Sequence, residues 1–390
     1  MKNNSIPITK PTLDSRELME IGKVLDSGWI TQGPKVKDFE RLFSKYIGNK
    51  YSIAVSNCTT ALHLALKVIG VKKDDEVITV SHSYVATANS IRYCGAIPVF
   101  IDIDIKTYNM DHRLIESAIT DKTKAILCVH QMGMPCNIQS IQKIAKKHNI
   151  PLVEDAACAI GSEIFYKGKW EKIGKPHGDI SCFSFHPRKV LTTGEGGMIT
   201  TDDKILEKKF RLLRHHGMSV SDLERHDSKN LIFEDHIILG YNYRLTDIQA
   251  AIGIAQLKKV KNIISKRRKI ANRYFEILKD IEEIILPVEP DFAKSNWQSF
   301  CIRFCDNLER NKIMQHLKSQ NISTKTGIMC SHLDTVYKIE PWRSVGELYK
   351  SKKARDQTLL LPLFNDLKYE TQKHIGSTLK NIIKSFSSTF

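Results

Sequence analysis

Short apolar runs, separated by stretches long enough for helices, constrain this chain more than any other feature. EVITV (76–80), PVFIDI (98–103), AILCVH (125–130), IPLVEDA (150–156), ISCFSF (180–185) and GGMITT (196–201) are short, rich in β-branched residues and almost unbroken in apolar character. A strand with no polar face must be covered on both sides, which is the condition of a mainly parallel sheet flanked by helices. Helical patterns such as ALHLALKVI (61–69) and SIQKIAKKHN (140–149) lie among them. Alternation of this kind defines an α/β chain.

A chain of 390 residues has room for two domains, or one large and one small. After Leu257 the pattern changes. Residues 258–280 read as one long basic helix, and QSFCIRF (298–304) and NKIMQHLKSQ (311–320) follow with a different period. The expected division is a large domain over 1–264 and a small C-terminal α/β domain over 265–390. The large one includes an amphipathic helix at Ser15–Asp26 and a loop, GWITQGPK (28–35).

Composition narrows the classes. An apolar fraction of 42% and a charged fraction of 26% are those of a soluble globular protein. No run of about 18 apolar residues predicts a membrane span, and the N-terminus does not read as a secretory signal. Nine cysteines stand singly, at 58, 94, 128, 136, 158, 182, 301, 305 and 330, with no Cys-x-x-Cys pair. Reduced thiols in a cytoplasmic protein fit this better than disulfides or a zinc site. The net charge of +16 suits an anionic partner. It is spread out, and neither zinc-finger spacing nor an RNA-binding aromatic motif accompanies it, so no nucleic-acid partner is expected.

Five segments carry chemistry. In FSFHPRKVLTTGEGG (183–197) a lone Lys189 follows a strand and precedes a Gly-rich turn, an arrangement that presents one amine at a pocket mouth. Such an amine can form a Schiff base with the aldehyde of pyridoxal phosphate. SNCTTALHLAL (56–66) runs from a strand end into a helix, where free amides and the Thr59 and Thr60 hydroxyls suit a phosphate. IPLVEDAACAIG (150–161) brings Asp155 to the carboxyl end of a strand, where it can pair with a pyridinium nitrogen. Ser184, five residues before Lys189, is placed for the same phosphate. Tyr84, in SHSYVATAN (81–89), can stack on a pyridine ring. In GYNYRLTDIQAAIGIAQL (240–257), Asn242 and Arg244 can reach a phosphate, and Thr246 or Asp247 caps the helix that follows. Each segment alone has an ordinary reading, as a helix cap, a half-buried tyrosine or a surface lysine; the order of all five is specific.

Taken together, and over nearly the whole chain, the five segments resemble the DegT/DnrJ/EryC1/StrS family of pyridoxal-phosphate-dependent sugar aminotransferases. The likeness is greatest to the 4-aminotransferases of nucleotide-linked 4-keto-6-deoxy sugars, of the perosamine-synthase kind. The resemblance implies a fold-type I architecture, with a mainly parallel mixed sheet in the large domain. It implies that Lys189 is the Schiff-base lysine, that Asp155 pairs with the ring nitrogen, and that Thr59, Thr60 and Ser184 hold the phosphate. It further implies that Tyr84 stacks on the ring. Asn242 matches a residue lent to the neighbouring subunit's phosphate, so an obligate homodimer is implied. His332, in CSHLDTVY, matches a histidine near the sugar and joins Arg244 on the substrate side.

Two positions depart from the family's pattern. Cys158 stands where His or Gln is usual, facing the cofactor's ring hydroxyl, and a thiol is a poorer hydrogen-bond partner. Cys58 stands where Gly is usual, which requires a negative φ. The implied reaction moves an amino group from L-glutamate to C4 of the sugar for glycan or surface polysaccharide synthesis, with ping-pong kinetics. Amination at C3 remains an alternative. Removal of a sugar hydroxyl, which relatives perform with histidine in place of the lysine, is disfavoured by Lys189. A cofactor-binding regulator is the reading from a different class, and it rests on the charge alone.

Overall fold

Residues 5–220, 233–306 and 308–387 are described by the computed structural model. The six apolar runs all become strands. The first nine strands are β1 (Tyr51–Val55), β2 (Glu76–Val80), β3 (Ile97–Ile101), β4 (Thr123–Val129), β5 (Leu152–Asp155), β6 (Glu163–Tyr166), β7 (Lys169–Lys172), β8 (Ile180–Ser184) and β9 (Gly197–Thr201). Later come β10 (Ile284–Ile285), β11 (Ala293–Lys294), β12 (Phe300–Phe304), β13 (Lys325–Thr326), β14 (Arg343–Ser344) and β15 (Thr358–Leu361).

One eight-stranded sheet has the order β1-β9-β8-β5-β4-β2-β3-β14. Neighbours from β8 to β14 are parallel. Only β9 is antiparallel to both its neighbours, pairing Val55 with Gly197 on one side and Ser184 with Gly197 on the other. The α/β, mixed and mainly parallel fold class is therefore present. Both faces are covered, as the unbroken apolar runs require: along β4, Ala125 and Leu127 join one core cluster while Ile126 and Cys128 join the other. Each such fully buried aliphatic side chain contributes on the order of 1.5–3 kcal/mol.

Helix α1 (Ser15–Ser27) begins with a capping box between Asp14 and Glu17, and α2 (Pro34–Ile47) begins with proline in its first turn. The helix α3 (Cys58–Val68) is capped by Asn57 and buries Ala61, Leu62, Leu64 and Ala65 under the sheet. The long helix Asp247–Leu278 starts eleven residues before the basic stretch that announced it. Its N-cap is Thr246, in a capping box with Gln249. Asp247 has another role: its carboxylate accepts the backbone N–H groups of Gly33, Lys35 and Val36, at 2.8–3.0 Å, and so fixes the start of α2. Gly253 lies under the Phe39 ring, where an added Cβ would sit 2.6 Å from ring carbon.

Along this helix Val260, Ile263 and Ile264 belong to the main core, whereas Ile270, Ala271, Tyr274 and Leu278 belong to a second one. The second core is closed by an antiparallel sheet in the order β10-β12-β15-β13 and by the helix Tyr369–Ser387. Residues near the N-terminus join this end of the molecule: Ile6 bridges to Ile322, and the Leu363 N–H donates to the Ile8 carbonyl. Among the described residues no helix is long and apolar enough to cross a membrane.

One buried ion cluster locks α2 to β1 and to the helix Lys204–Arg214. Glu40 accepts from Arg214 at 2.6 Å, from Arg211 at 2.8 Å and from the Ala54 N–H at 2.9 Å. Burial alone pushes the Glu40 carboxyl up, but the two guanidinium groups outweigh it and hold the carboxyl below its ordinary value. Glu40→Gln leaves a buried arginine short of its counter-charge and is expected to cost about 3–5 kcal/mol near neutral pH. Urea unfolding of both proteins checks this. Because the folded-state value is depressed, the stabilisation is present above the unfolded carboxylate's pKa. It is lost as pH falls through the folded value, so the two proteins converge on acidification.

Candidate active site

Strands β5 and β8 end side by side, and the residues at and just beyond their carboxyl ends form the site. Asp155, the last residue of β5, is only 5% exposed. One of its oxygens accepts from the Thr87 hydroxyl at 2.8 Å and the other from the Ala157 N–H at 3.1 Å. Ser83 in turn holds the Thr87 hydroxyl at 2.8 Å. Burial raises the Asp155 pKa more than these hydrogen bonds lower it. Lys189 and His130 favour its charge from a distance, but neither hydrogen-bonds to it.

Beyond β8 the chain turns through His186 and Pro187 to Lys189. The Lys189 ammonium donates to the Cys158 sulfur at 3.1 Å. Burial opposes its charge, but Cys158, Cys58 and Asp155 outweigh burial and leave its pKa raised. The turn itself is tied by its threonines. Thr192 donates to the Phe185 carbonyl at 2.8 Å and accepts from the Gly194 N–H at 3.0 Å, while Thr193 donates to the Glu195 carbonyl at 2.6 Å.

Opposite this turn lies the start of α3. Here Asn57 and Thr60 form a reciprocal cap, and the Thr60 hydroxyl donates to the Asn57 carbonyl at 2.8 Å. The Thr60 side chain thus shapes the turn, whereas the Thr59 hydroxyl has no partner among the described residues. Cys58 is the first residue of the helix and keeps a negative φ. Gly197 packs against this turn so closely that a Cβ would lie 2.6 Å from the Asn57 carbonyl group. Ser184 is half-buried at the end of β8.

Tyr84 sits on the loop between Ser83 and Thr87, beside the Asp155 hydrogen bond, with its ring 64% exposed. His332 is brought to the start of the same loop: its Nδ1 is 2.5 Å from the Ser81 hydroxyl. Burial pushes His332 down to about 4, so at neutral pH it is uncharged, and its Nε2 has no partner among the described residues. Asn242 is exposed and accepts from Arg244 at 3.1 Å, and Arg244 also reaches His215 at 2.9 Å. Their segment is joined to the turn that opens α3 through the Ser56 N–H, which donates to the Tyr243 carbonyl at 2.9 Å.

Sequence reasoning passed over Thr87 and Asn296. Thr87 stood in the quoted segment, three residues after Tyr84, at helical spacing that was there to be used. Asn296 had no such signal. Its amide donates to the Cys158 and Ile160 carbonyls at 2.7 and 2.9 Å and so holds the strand of chain that carries Cys158.

A buried carboxylate, a lysine amine and a helix N-terminus with an unpartnered hydroxyl fit the three parts of pyridoxal phosphate: ring nitrogen, aldehyde and phosphate. Fold and site together define a pyridoxal-phosphate-dependent aminotransferase. The chain belongs to the DegT/DnrJ/EryC1/StrS aminotransferase family, whose sequence model matches residues 11–380. It is 38% identical to the protein MJ1066 of Methanocaldococcus jannaschii, across 98% of this chain and 99% of that one. It is 34% identical to SpsC of Bacillus subtilis, a spore coat polysaccharide biosynthesis protein, across 98% of each. Among solved structures it resembles Helicobacter pylori PseC, an aminotransferase involved in the biosynthesis of pseudoaminic acid. The TM-score there is 0.89 and the identity 29%, with 99% of this chain and 100% of that one covered.

Thr87→Val removes a hydrogen bond to a buried carboxylate, worth about 1.5–3 kcal/mol. Turnover is expected to fall roughly ten- to a hundredfold, with the fold retained by circular dichroism. Steady-state kinetics of the variant against wild type check it.

Proposed function

We propose that this chain transfers the amino group of L-glutamate to C4 of a nucleotide-linked 4-keto-6-deoxy sugar, supplying polysaccharide synthesis in the cytoplasm. The observation that carries the reading is that Lys189, Asp155 and Cys58 at the start of α3 lie near enough for each to act on the charge of the others, with Lys189 bonded to Cys158 and Asp155 to Thr87. The names of SpsC and PseC support a sugar acceptor and a polysaccharide product.

Bound at this site, pyridoxal phosphate supplies an aldehyde that carries the amino group and a protonated ring that draws electrons from the substrate carbon. Asp155 keeps the ring nitrogen protonated, and Thr87 and Ala157 aim it. The amides of Cys58 and Thr59 and the hydroxyls of Thr59 and Ser184 bind the phosphate, while Thr60 holds the turn in shape. Tyr84 covers one face of the ring. Cys158 stands beside the Lys189 amine and offers the ring hydroxyl only a weak partner. Lys189 would hold the cofactor's aldehyde and, when neutral, would serve as the base that takes and returns a proton at the substrate carbon. His332 presents a neutral imidazole to the sugar, with Arg244 on the substrate side.

Two structural assignments belong to the same proposal. The division into 1–264 and 265–390 is supported by the passage of the long helix from one core to the other between Ile264 and Ile270. A homodimer, in which Asn242 serves the partner's phosphate, is supported by the exposure of that residue and by apolar side chains left open on α1, Leu18 and Leu25 among them.

Adding L-glutamate to the holoenzyme is expected to replace the yellow absorbance band by that of the amine form, with release of 2-oxoglutarate. A spectrum that glutamate leaves unchanged rejects this donor. Mixing Lys189→Ala subunits with Asn242→Ala subunits is expected to restore activity that neither has alone, because a hybrid dimer contains one intact site. No recovery, with subunit exchange shown by native mass spectrometry, rejects the shared site.

A further inference from the structure

The Lys189 amine bonds to the Cys158 sulfur, which is a weak acceptor. Its place therefore depends on the two stretches of backbone that carry this pair. In both, one peptide group is fixed at each end. The peptide joining Arg188 to Lys189 donates its N–H to the His186 carbonyl at 2.8 Å, and its own carbonyl accepts from the Gln298 side-chain amide. The peptide joining Cys158 to Ala159 donates its N–H to the Ala156 carbonyl at 2.8 Å, and its own carbonyl accepts from the Asn296 amide at 2.7 Å. In each case the N–H closes a local turn. The carbonyl is held from a distant part of the chain, the bend between β11 and β12.

That bend is itself tightly held. The Asn296 Oδ1 accepts from the Gln298 N–H at 2.8 Å, and the Ser295 hydroxyl accepts from the Trp297 N–H at 3.0 Å. Between Asn296 and Gln298, Trp297 has a φ of 51°, a left-handed conformation that a bulky side chain rarely takes. Such strain persists where the surroundings impose it, and it gathers at functional sites. Here Arg267 helps to impose it. From the long helix its guanidinium donates to the Trp297 carbonyl at 2.9 Å and to the Gln298 carbonyl at 2.7 Å. Asn296, Trp297, Gln298 and Arg267 are all buried. A bend that merely joined β11 to β12 would not need to reach both peptides that carry Lys189 and Cys158.

We propose that Asn296 and Gln298 are positioning residues for Lys189, which fix where its amine meets the cofactor's aldehyde. The proposal rests on the reading of Lys189 as the Schiff-base lysine given above. Strands β5 and β8 bring the two arms out side by side, and the bend ties both of them beyond the strand ends. The lysine thus stands on the large sheet while its position is set by chain that follows the long helix. In the attachment step the neutral amine nitrogen adds to the aldehyde carbon, and the aldehyde oxygen leaves as water with the two amine hydrogens. That step needs the nitrogen at one fixed point, and a misplacement of about 1 Å can cost roughly a hundredfold in rate. Loss of either tie frees one arm and takes the amine from that point.

The test adds saturating pyridoxal phosphate to the full chain freed of cofactor and follows growth of the yellow band by stopped flow. Wild type is compared with Gln298→Met, Asn296→Ser and the control Gln372→Met. Gln372 is buried, donates to the Ile270 carbonyl at 2.9 Å and, like Gln298, leaves its Oε1 without a partner among the described residues. Its loss therefore reports the structural cost of removing such a bond away from the site. The band is expected to grow about tenfold more slowly, or slower still, in Gln298→Met and Asn296→Ser, and at a rate within about twofold of wild type in Gln372→Met. Should Asn296→Ser fail to fold, Gln298→Met decides alone. Growth at the wild-type rate in both site variants overturns the proposal, as does equal slowing in Gln372→Met. Borohydride reduction and peptide mapping of wild type separate this from the reading of the lysine. Cofactor on Lys189 with unslowed variants overturns the positioning role alone, whereas cofactor on another lysine overturns both.

Discussion

No methyl group fits between Gly197 and the peptide joining Asn57 to Cys58. Much of the site depends on that approach. Strand β9 runs antiparallel between β1 and β8, so its first residue meets both the turn that follows β1 and the end of β8. The turn that opens α3 and the lysine loop, distant in sequence, are thereby held by a backbone contact rather than by side chains. Asp155 arrives on β5, the next strand in the sheet. Three reactive elements therefore sit on adjoining strands of one rigid sheet, which places them more firmly than loops alone would.

The electrostatics of this corner follow from its burial. Asp155 is harder to ionise than an ordinary carboxylate, while Lys189 is easier to protonate than an ordinary lysine. A cationic ring bound beside Asp155, as proposed, would relieve the first and, by repulsion, correct the second. The cysteine at 158 enters here. Its thiol accepts from the lysine in place of a stronger side-chain partner, yet its backbone is held by Asn296, so the loss of hydrogen-bonding power does not become a loss of position.

How much could be read from the chain alone varied with the kind of information needed. Strands covered on both faces announce themselves by composition, because burial acts on each residue separately; EVITV became β2 with the same bounds, and AILCVH became β4 with its ends moved by two residues and by one. The antiparallel sense of β9 was not legible, since pairing direction depends on where the chain re-enters the sheet. The same is true of β14, two residues from the C-terminal part of the chain that add a strand beside β3. Within the site, Lys189 and Asp155 stood out because they interrupt apolar runs. Thr59 and Thr60 looked alike in sequence, and only the capping geometry divides their work.

The N-terminal segment ends its course in the part of the molecule made last. Ser5 meets Ser323 across a separation of 318 residues, and Ile8 receives the N–H of Leu363. During synthesis at about 5–20 residues per second, a segment waits roughly 15–65 seconds for partners some 318 residues further along. Docking of the N-terminal segment therefore comes after most of the chain has been made.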